Sequence, residues 1–203
     1  HAFNVTRKET LRLYPGVQET LEKLRLTGIP LVAHTESKLT GVMDRLIRLG
    51  VAGYFKRIYC RERPITEHPD VEAGKRWLEK VPVHRVVELS HHQQKPSPDV
   101  LLEICEREGA NPANCAYVGD SISRDIFMAK QAGIFSIWAQ YGAAKNEGVY
   151  SKLVRVTHWS VEDVQREIQL RELSAGVAPD WILKESFSEI LMPINNLWRS
   201  AVS

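Results

Sequence analysis

Along the first third of the chain, apolar positions recur with a helical period and then crowd into short runs. In residues 16–27, Val17, Leu21 and Leu24 fall on one face, which predicts an amphipathic helix ended by Gly28. Residues 29–34 (IPLVAH) predict a buried strand. Leu39, Val42, Met43, Leu46, Ile47 and Leu49 predict the apolar stripe of a helix over 37–49, stopped by Gly50. Phe55 to Cys60 predicts a second strand. Residues 61–94 are polar and hold Pro64, Pro69 and Pro82, with a short helix at Val71–Glu79 and a strand at Arg85–Leu89 expected inside. Regularity returns with a helix over Pro98–Gly109, a strand at 115–118, a helix at 121–132 and a strand at 134–138. A charged helix at 160–174, an edge strand at Trp181–Leu183 and a helix from Ser186 to about Leu197 follow.

Short apolar runs alternating with helices predict βαβ crossovers and a mostly parallel sheet, an α/β fold. The strands near 29–34, 55–60, 115–118 and 134–138 are expected in one sheet with helices on both faces. Such folds place their sites at the carboxyl ends of strands. Three polar clusters follow apolar runs here: Thr35-Glu36-Ser37, Lys95-Pro96 and Gly119-Asp120-Ser121.

Composition narrows the functional classes. The 203 residues are 43% hydrophobic and 26% charged, enough for a packed core. The net charge is only +2, which provides no electrostatic footprint for nucleic acid or an anionic membrane. No apolar run approaches the ~20 residues that span a bilayer. The three cysteines, Cys60, Cys105 and Cys115, form no CxxC pair and read as reduced thiols of a cytoplasmic protein.

The segment YVGDSISRDIFMAKQAG, residues 117–133, carries the strongest chemical signal. Gly119 lets the backbone turn at a strand tip, Asp120 follows, and Asp125 lies about one helical turn later. Two carboxylates at one strand end suit a hard, oxygen-seeking cation such as Mg²⁺, although a lone aspartate there also serves as a helix cap. In VAHTES, residues 32–37, the Thr35 hydroxyl and adjacent N–H groups suit a phosphate oxygen at a helix start; an N-cap role for Thr35 or Ser37 is the plainer reading. In KPSPDVL, residues 95–101, Pro96 holds Lys95 extended, so that its ammonium can be aimed at a phosphate. His84, His91 and His92, with Glu88 between, read as solvated loop residues rather than a metal site.

Taken jointly and in order, LYPGVQETLEKLRLTGIPLVAHTES, KPSPDVLLEICEREG and VGDSISRDIFMAKQAGI resemble motifs two, three and four of the haloacid dehalogenase superfamily. The resemblance implies a Rossmann-like three-layer sandwich and a Mg²⁺-dependent phosphatase acting on a small phosphorylated metabolite through an aspartyl-phosphate. It implies that Thr35, with Glu36 beside it, binds the phosphoryl group and that Lys95 steadies nucleophile and phosphate. Asp120 would hold Mg²⁺, and Asp125 would support the metal or Lys95.

The chain departs from the family in one large respect. The opening motif, DxDxT, is absent, and no DxD occurs anywhere in the 203 residues. In the family its strand lies between the strand ending here at His34 and the one ending at Val118. The nucleophile is therefore expected upstream, with residues 1–13 as the last piece of a helical cap and 14–203 as the core. The segment near 61–90 is expected to be a small cover over the site. The alternative is an inactive relative that binds a ligand or partner; retention of Lys95, Asp120 and Asp125 argues against it. Two buried flanking strands with open edges are costly, because unpaired buried backbone groups cost about 1–3 kcal/mol each. Either another strand fills the gap or the two flanking strands pair directly.

Overall fold

The computed structural model describes residues 10–61, 83–90, 92–143 and 161–195. The short helix expected at Val71–Glu79, residues 1–9 and most of the 61–90 insertion lie outside them. The chain divides into two compact units, His1–Gln94 and Lys95–Ser203.

The first unit begins with helix α1 (Val17–Leu26), which buries Thr20, Leu21 and Leu24. Gly28 follows with φ 76°, a conformation that costs glycine nothing, so the helix ends where the sequence says it should. Strand β1 (Val32–Lys38) then pairs in parallel with β2 (Arg57–Arg61), and β2 with β3 (Val86–Leu89). The first strand runs four residues past its expected end at His34. The register slips between His34 and Lys38, so the polar Thr35, Glu36 and Ser37 occupy a bulge. Apolar patterning cannot reveal a bulged, polar strand end. Helix α2 (Leu39–Arg48) lays Leu39, Val42 and Met43 against Ile58 and Cys60, closing the core of this unit. Ile47 is exposed, because at 100° per residue it rotates off the stripe that Leu39, Val42, Met43 and Leu46 define.

The second unit opens with helix α3 (Pro98–Glu108). Proline stands in its first turn and Gly109 ends it at φ 66°. Strands β4 (Ala116–Gly119), β5 (Phe135–Ala139) and β6 (Trp181–Leu183) pair in parallel in that order. Between β4 and β5 the expected helix is split. A wide π-turn (Ile122–Ile126) runs into α4 (Phe127–Gln131), with Ile126 N–H donating to Ser121 C=O at 3.1 Å. Helix α5 (Val161–Leu173) follows, and a capping box of Ser186 and Glu189 opens the 3₁₀ turn Phe187–Ile190 after β6.

The strands are parallel throughout, as expected, but they do not form one ladder. They fall three and three into two sheets, β1-β2-β3 and β4-β5-β6, one in each unit. No ladder joins β1 to β4 among the described residues. Each has one ladder neighbour among the described residues.

Asp180 ties β6 to its sheet. Its carboxylate accepts from the Ser136 N–H at 2.9 Å and hydroxyl at 2.8 Å, and pairs with Lys130 Nζ at 2.7 Å. Burial acts to raise this carboxyl, but the Lys130 and Ser136 hydrogen bonds outweigh it and hold it below its ordinary value. A carboxyl lowered in the fold stabilises at pH above its unfolded value and loses that contribution as pH falls through the folded one. Asp180→Asn should therefore lower stability by about 1–3 kcal/mol near neutral pH, in urea unfolding, because it weakens bonds made to a charged group. The difference between variant and wild type should vanish on acidification below the ordinary value of 3.8; a difference independent of pH would show that the charge is not the cause.

Candidate active site

Strand β4 aims a set of polar side chains at one point. Alternation along a strand puts Tyr117 and Gly119 on the same face. Asp125 is packed against that face: a Cβ built on Gly119 would lie 2.5 Å from Asp125 Oδ2 and nearer still to its Cβ and Cγ, closer than any real contact. Only glycine fits there. Asp125 is 4% exposed, yet its carboxylate is well satisfied. It accepts from Lys95 Nζ at 2.7 Å, from Ser121 N–H at 3.1 Å and from the Tyr117 hydroxyl at 3.4 Å. The π-turn carries Asp125, and such turns recur at functional sites.

The Lys95–Asp125 pair is nearly dry, with side chains 14% and 6% exposed. Lys95 Nζ also lies 5.5 Å from the centre of the Tyr117 ring. Burial opposes its charge, but Tyr117 and Asp125 together override burial and raise the ammonium above its ordinary value. The Tyr117 phenol is itself pushed up, chiefly by burial, so it is neutral near pH 7. The Asp125 carboxylate is then the charge that holds Lys95 as a cation.

Asp120 is exposed as a residue, but its carboxyl is crowded. Lost hydration and the negative charge of Asp125 push it above the usual carboxylate range. Its backbone carbonyl is anchored by the Trp138 indole N–H at 3.0 Å, from the β5 residue in register with Gly119. One further strut comes from α5, where Glu167 accepts from Arg124 Nη2 at 2.9 Å and Nε at 3.3 Å and so braces the π-turn from outside.

The expected residues of the second unit, Lys95, Asp120 and Asp125, thus come together. Thr35 and Glu36 belong to the first unit, in the bulge at the carboxyl end of β1. There the Thr35 hydroxyl accepts from Ser37 N–H at 3.1 Å and Ser37 Oγ accepts from Arg45 at 2.6 Å. Neither Thr35 nor Ser37 is the helix N-cap; Lys38 holds that position without a side-chain cap. Of the histidine cluster, His91 lies outside the described residues. Reading the sequence missed Tyr117, Trp138 and Arg124. The first was accessible, since it stands two residues before Gly119 and shares its strand face.

The carboxylates fit a divalent cation. Two acids near enough for one to raise the other repel in the absence of a cation, and a Mg²⁺ ion would relieve that repulsion. No group of three His, Cys, Asp or Glu suited to a metal occurs among the described residues.

The comparisons with known proteins agree with this geometry. The sequence matches the haloacid dehalogenase-like hydrolases over residues 2–133. It is 30% identical over 162 residues to a phosphoglycolate phosphatase of Escherichia coli K12, covering 80% of this chain and 53% of the relative. It is 29% identical over 141 residues to a glyceraldehyde 3-phosphate phosphatase of Methanopyrus kandleri, covering 70% and 49%. The chain spans about half the length of these curated relatives. Among solved structures, a predicted phosphoglycolate phosphatase from Haemophilus somnus 129pt matches with a TM-score of 0.56 at 25% identity, covering 94% of this chain and 63% of that one. A putative β-phosphoglucomutase from Thermotoga maritima matches at 0.57 and 18%, covering 95% and 64%, a likeness of fold.

Two substitutions test the site directly. Asp120→Asn removes the like charge beside Asp125, so it should raise the metal-free melting temperature at neutral pH. If Asp120 holds Mg²⁺, the variant should also lose stabilisation by the ion, about 2.7 kcal/mol for the wild type with the ion at a hundred times its Kd. A variant that still responds fully to Mg²⁺ would place the ion elsewhere. Gly119→Ala should displace Asp125 and weaken the Mg²⁺ response as well as the fold, read by the same melts.

Proposed function

The chain belongs to the haloacid dehalogenase-like hydrolases, and we propose that it forms part of a Mg²⁺-dependent phosphatase of small phosphorylated metabolites. The observation that carries this reading is the dry Lys95–Asp125 pair, 2.7 Å long, beside the raised carboxyl of Asp120. A buried cation fixed by one carboxylate, with a second acid alongside, is an arrangement for holding an anion and a metal together. The names of the relatives, phosphatases of phosphoglycolate and of glyceraldehyde 3-phosphate, point to substrates of a few carbons.

Each residue has a role in this reading. Lys95 stabilises the negative charge that spreads over the phosphoryl oxygens in the transition state. Asp125 keeps Lys95 protonated and pointed, and Tyr117 adds a neutral hydroxyl to the same network. Asp120 supplies a carboxylate oxygen to Mg²⁺, with Asp125 in support. When bound, the ion neutralises phosphate charge so that an anionic nucleophile can approach. The motif resemblance assigns phosphoryl binding to Thr35, with Glu36 beside it. The nucleophilic aspartate belongs to a DxDxT strand outside these 203 residues, and attack by its carboxylate splits hydrolysis into two easier steps.

Hydrolysis of phosphoglycolate and glyceraldehyde 3-phosphate by the protein purified from its source should require Mg²⁺, and its intact mass should exceed 23.1 kDa. Lys95→Ala should lower kcat by roughly 10²–10³-fold, the scale of losing one charge-stabilising group, and Thr35→Ala should lower kcat/KM. A mass of 23.1 kDa with full activity would mean that the nucleophile lies within this chain. The same mass without activity would favour a binding protein.

A further inference from the structure

Cys105 and Cys115 take no part in the site above. Cys105 stands in the last turn of α3 and is 6% exposed. Cys115 immediately precedes β4 and is half-buried. Their Sγ atoms are 3.8 Å apart. The connection between them is fixed by its own hydrogen bonds. Ala110 N–H donates to Cys105 C=O at 2.8 Å, Ala113 N–H to Asn111 Oδ1 at 3.0 Å, and Cys115 N–H to Pro112 C=O at 3.0 Å. The Cys115 thiol also reaches Asn111 C=O at 3.2 Å, and Phe135 N–H from β5 holds the Cys115 carbonyl at 3.2 Å. Backbone bonds on both sides thus hold two thiols in van der Waals contact. Cys60, the third thiol, is fully buried in the core of the other unit.

The geometry points to a reversible modification site, an intramolecular disulfide between Cys105 and Cys115. A disulfide needs sulfurs about 2.05 Å apart, so the two must close by less than 2 Å from their present contact. The co-reactant is a low-molecular-weight disulfide of the glutathione class. The half-buried Cys115, as thiolate, attacks one sulfur of the small disulfide; a mixed disulfide forms and one small thiol leaves. Cys105 then loses its proton and attacks Sγ of Cys115, and the second small thiol leaves. The two protein thiols are oxidised to one disulfide, the small disulfide is reduced to two thiols, and the protons from the protein end on those thiols. The Cys105 thiol is pushed up to about 12, chiefly by burial and then by Cys115. Cys115, the more exposed of the two, meets the small disulfide first, and the buried Cys105 acts second. The bond would join α3, which follows Lys95, to the head of β4, which leads into Asp120. Closing this loop restricts the unfolded chain and braces both elements.

The test is to incubate the full chain with oxidised glutathione under native conditions, unfold it, alkylate it with iodoacetamide and weigh it. One alkylated cysteine, Cys60, is expected, against three in the reduced control. Trypsin cleaves after Arg107, so the oxidised protein should yield two peptides joined through Cys105 and Cys115, which separate on reduction. Cys105→Ser should stop at a stable glutathione adduct on Cys115. The oxidised wild type should melt at a higher temperature, reversibly with dithiothreitol, and Cys115→Ser should show no such shift. Three alkylated cysteines after oxidation, a stable glutathione adduct on the wild type, or a bridge through Cys60 would each overturn the proposal. The peptide map uses the wild type alone, so its outcome does not depend on how the variants fold.

Discussion

Asp125 is the residue on which the second unit turns. A carboxylate buried without partners would be expelled or protonated. Here three donors, one of them a cation, hold it, and each constrains a different part of the chain. Lys95 fixes the start of α3, Ser121 fixes the turn after β4, and Tyr117 fixes the strand itself. Gly119 is the condition that lets the carboxylate sit so close to the strand at all. Removing one partner of such a dry pair leaves an uncompensated charge, at a cost of about 3–5 kcal/mol. Stability and chemistry are therefore not separable at this position: the same contact that keeps the unit folded keeps an ammonium aimed.

Strands β1 and β4 express a second constraint. Parallel strands in α/β proteins are covered on both faces and depend on neighbours to pair their backbone groups. Here β1 and β4 each have one ladder neighbour among the described residues. Thr35 lies in the bulged carboxyl half of β1, and Asp120 directly follows β4.

Much of this was legible in the residues. Glycines at helix ends announced themselves, and Gly28 and Gly109 adopt the positive φ that ends α1 and α3. The apolar stripe Leu39–Val42–Met43 named the face of α2 that packs on β2. Lys95, Asp120 and Asp125 were found by spacing and resemblance, and the structure unites them. What escaped was set by tertiary contact. The bulge that carries Thr35 depends on how β1 pairs with β2, which no local pattern encodes. The π-turn at Ile122–Ile126 replaces an ordinary helix start where Asp125 is drawn to Lys95. Trp138 stands in the apolar run of β5, and only the register with Gly119 shows that its indole anchors the Asp120 carbonyl.

The central claim is that Asp120 and its neighbours form a metal site next to a fixed ammonium. Crystals soaked in Mn²⁺, a Mg²⁺ surrogate visible by anomalous scattering, test it most directly. The account predicts one strong anomalous peak at bonding distance from an Asp120 carboxylate oxygen, with the Lys95–Asp125 contact intact. A strong peak elsewhere in the molecule, with none at Asp120, would contradict it.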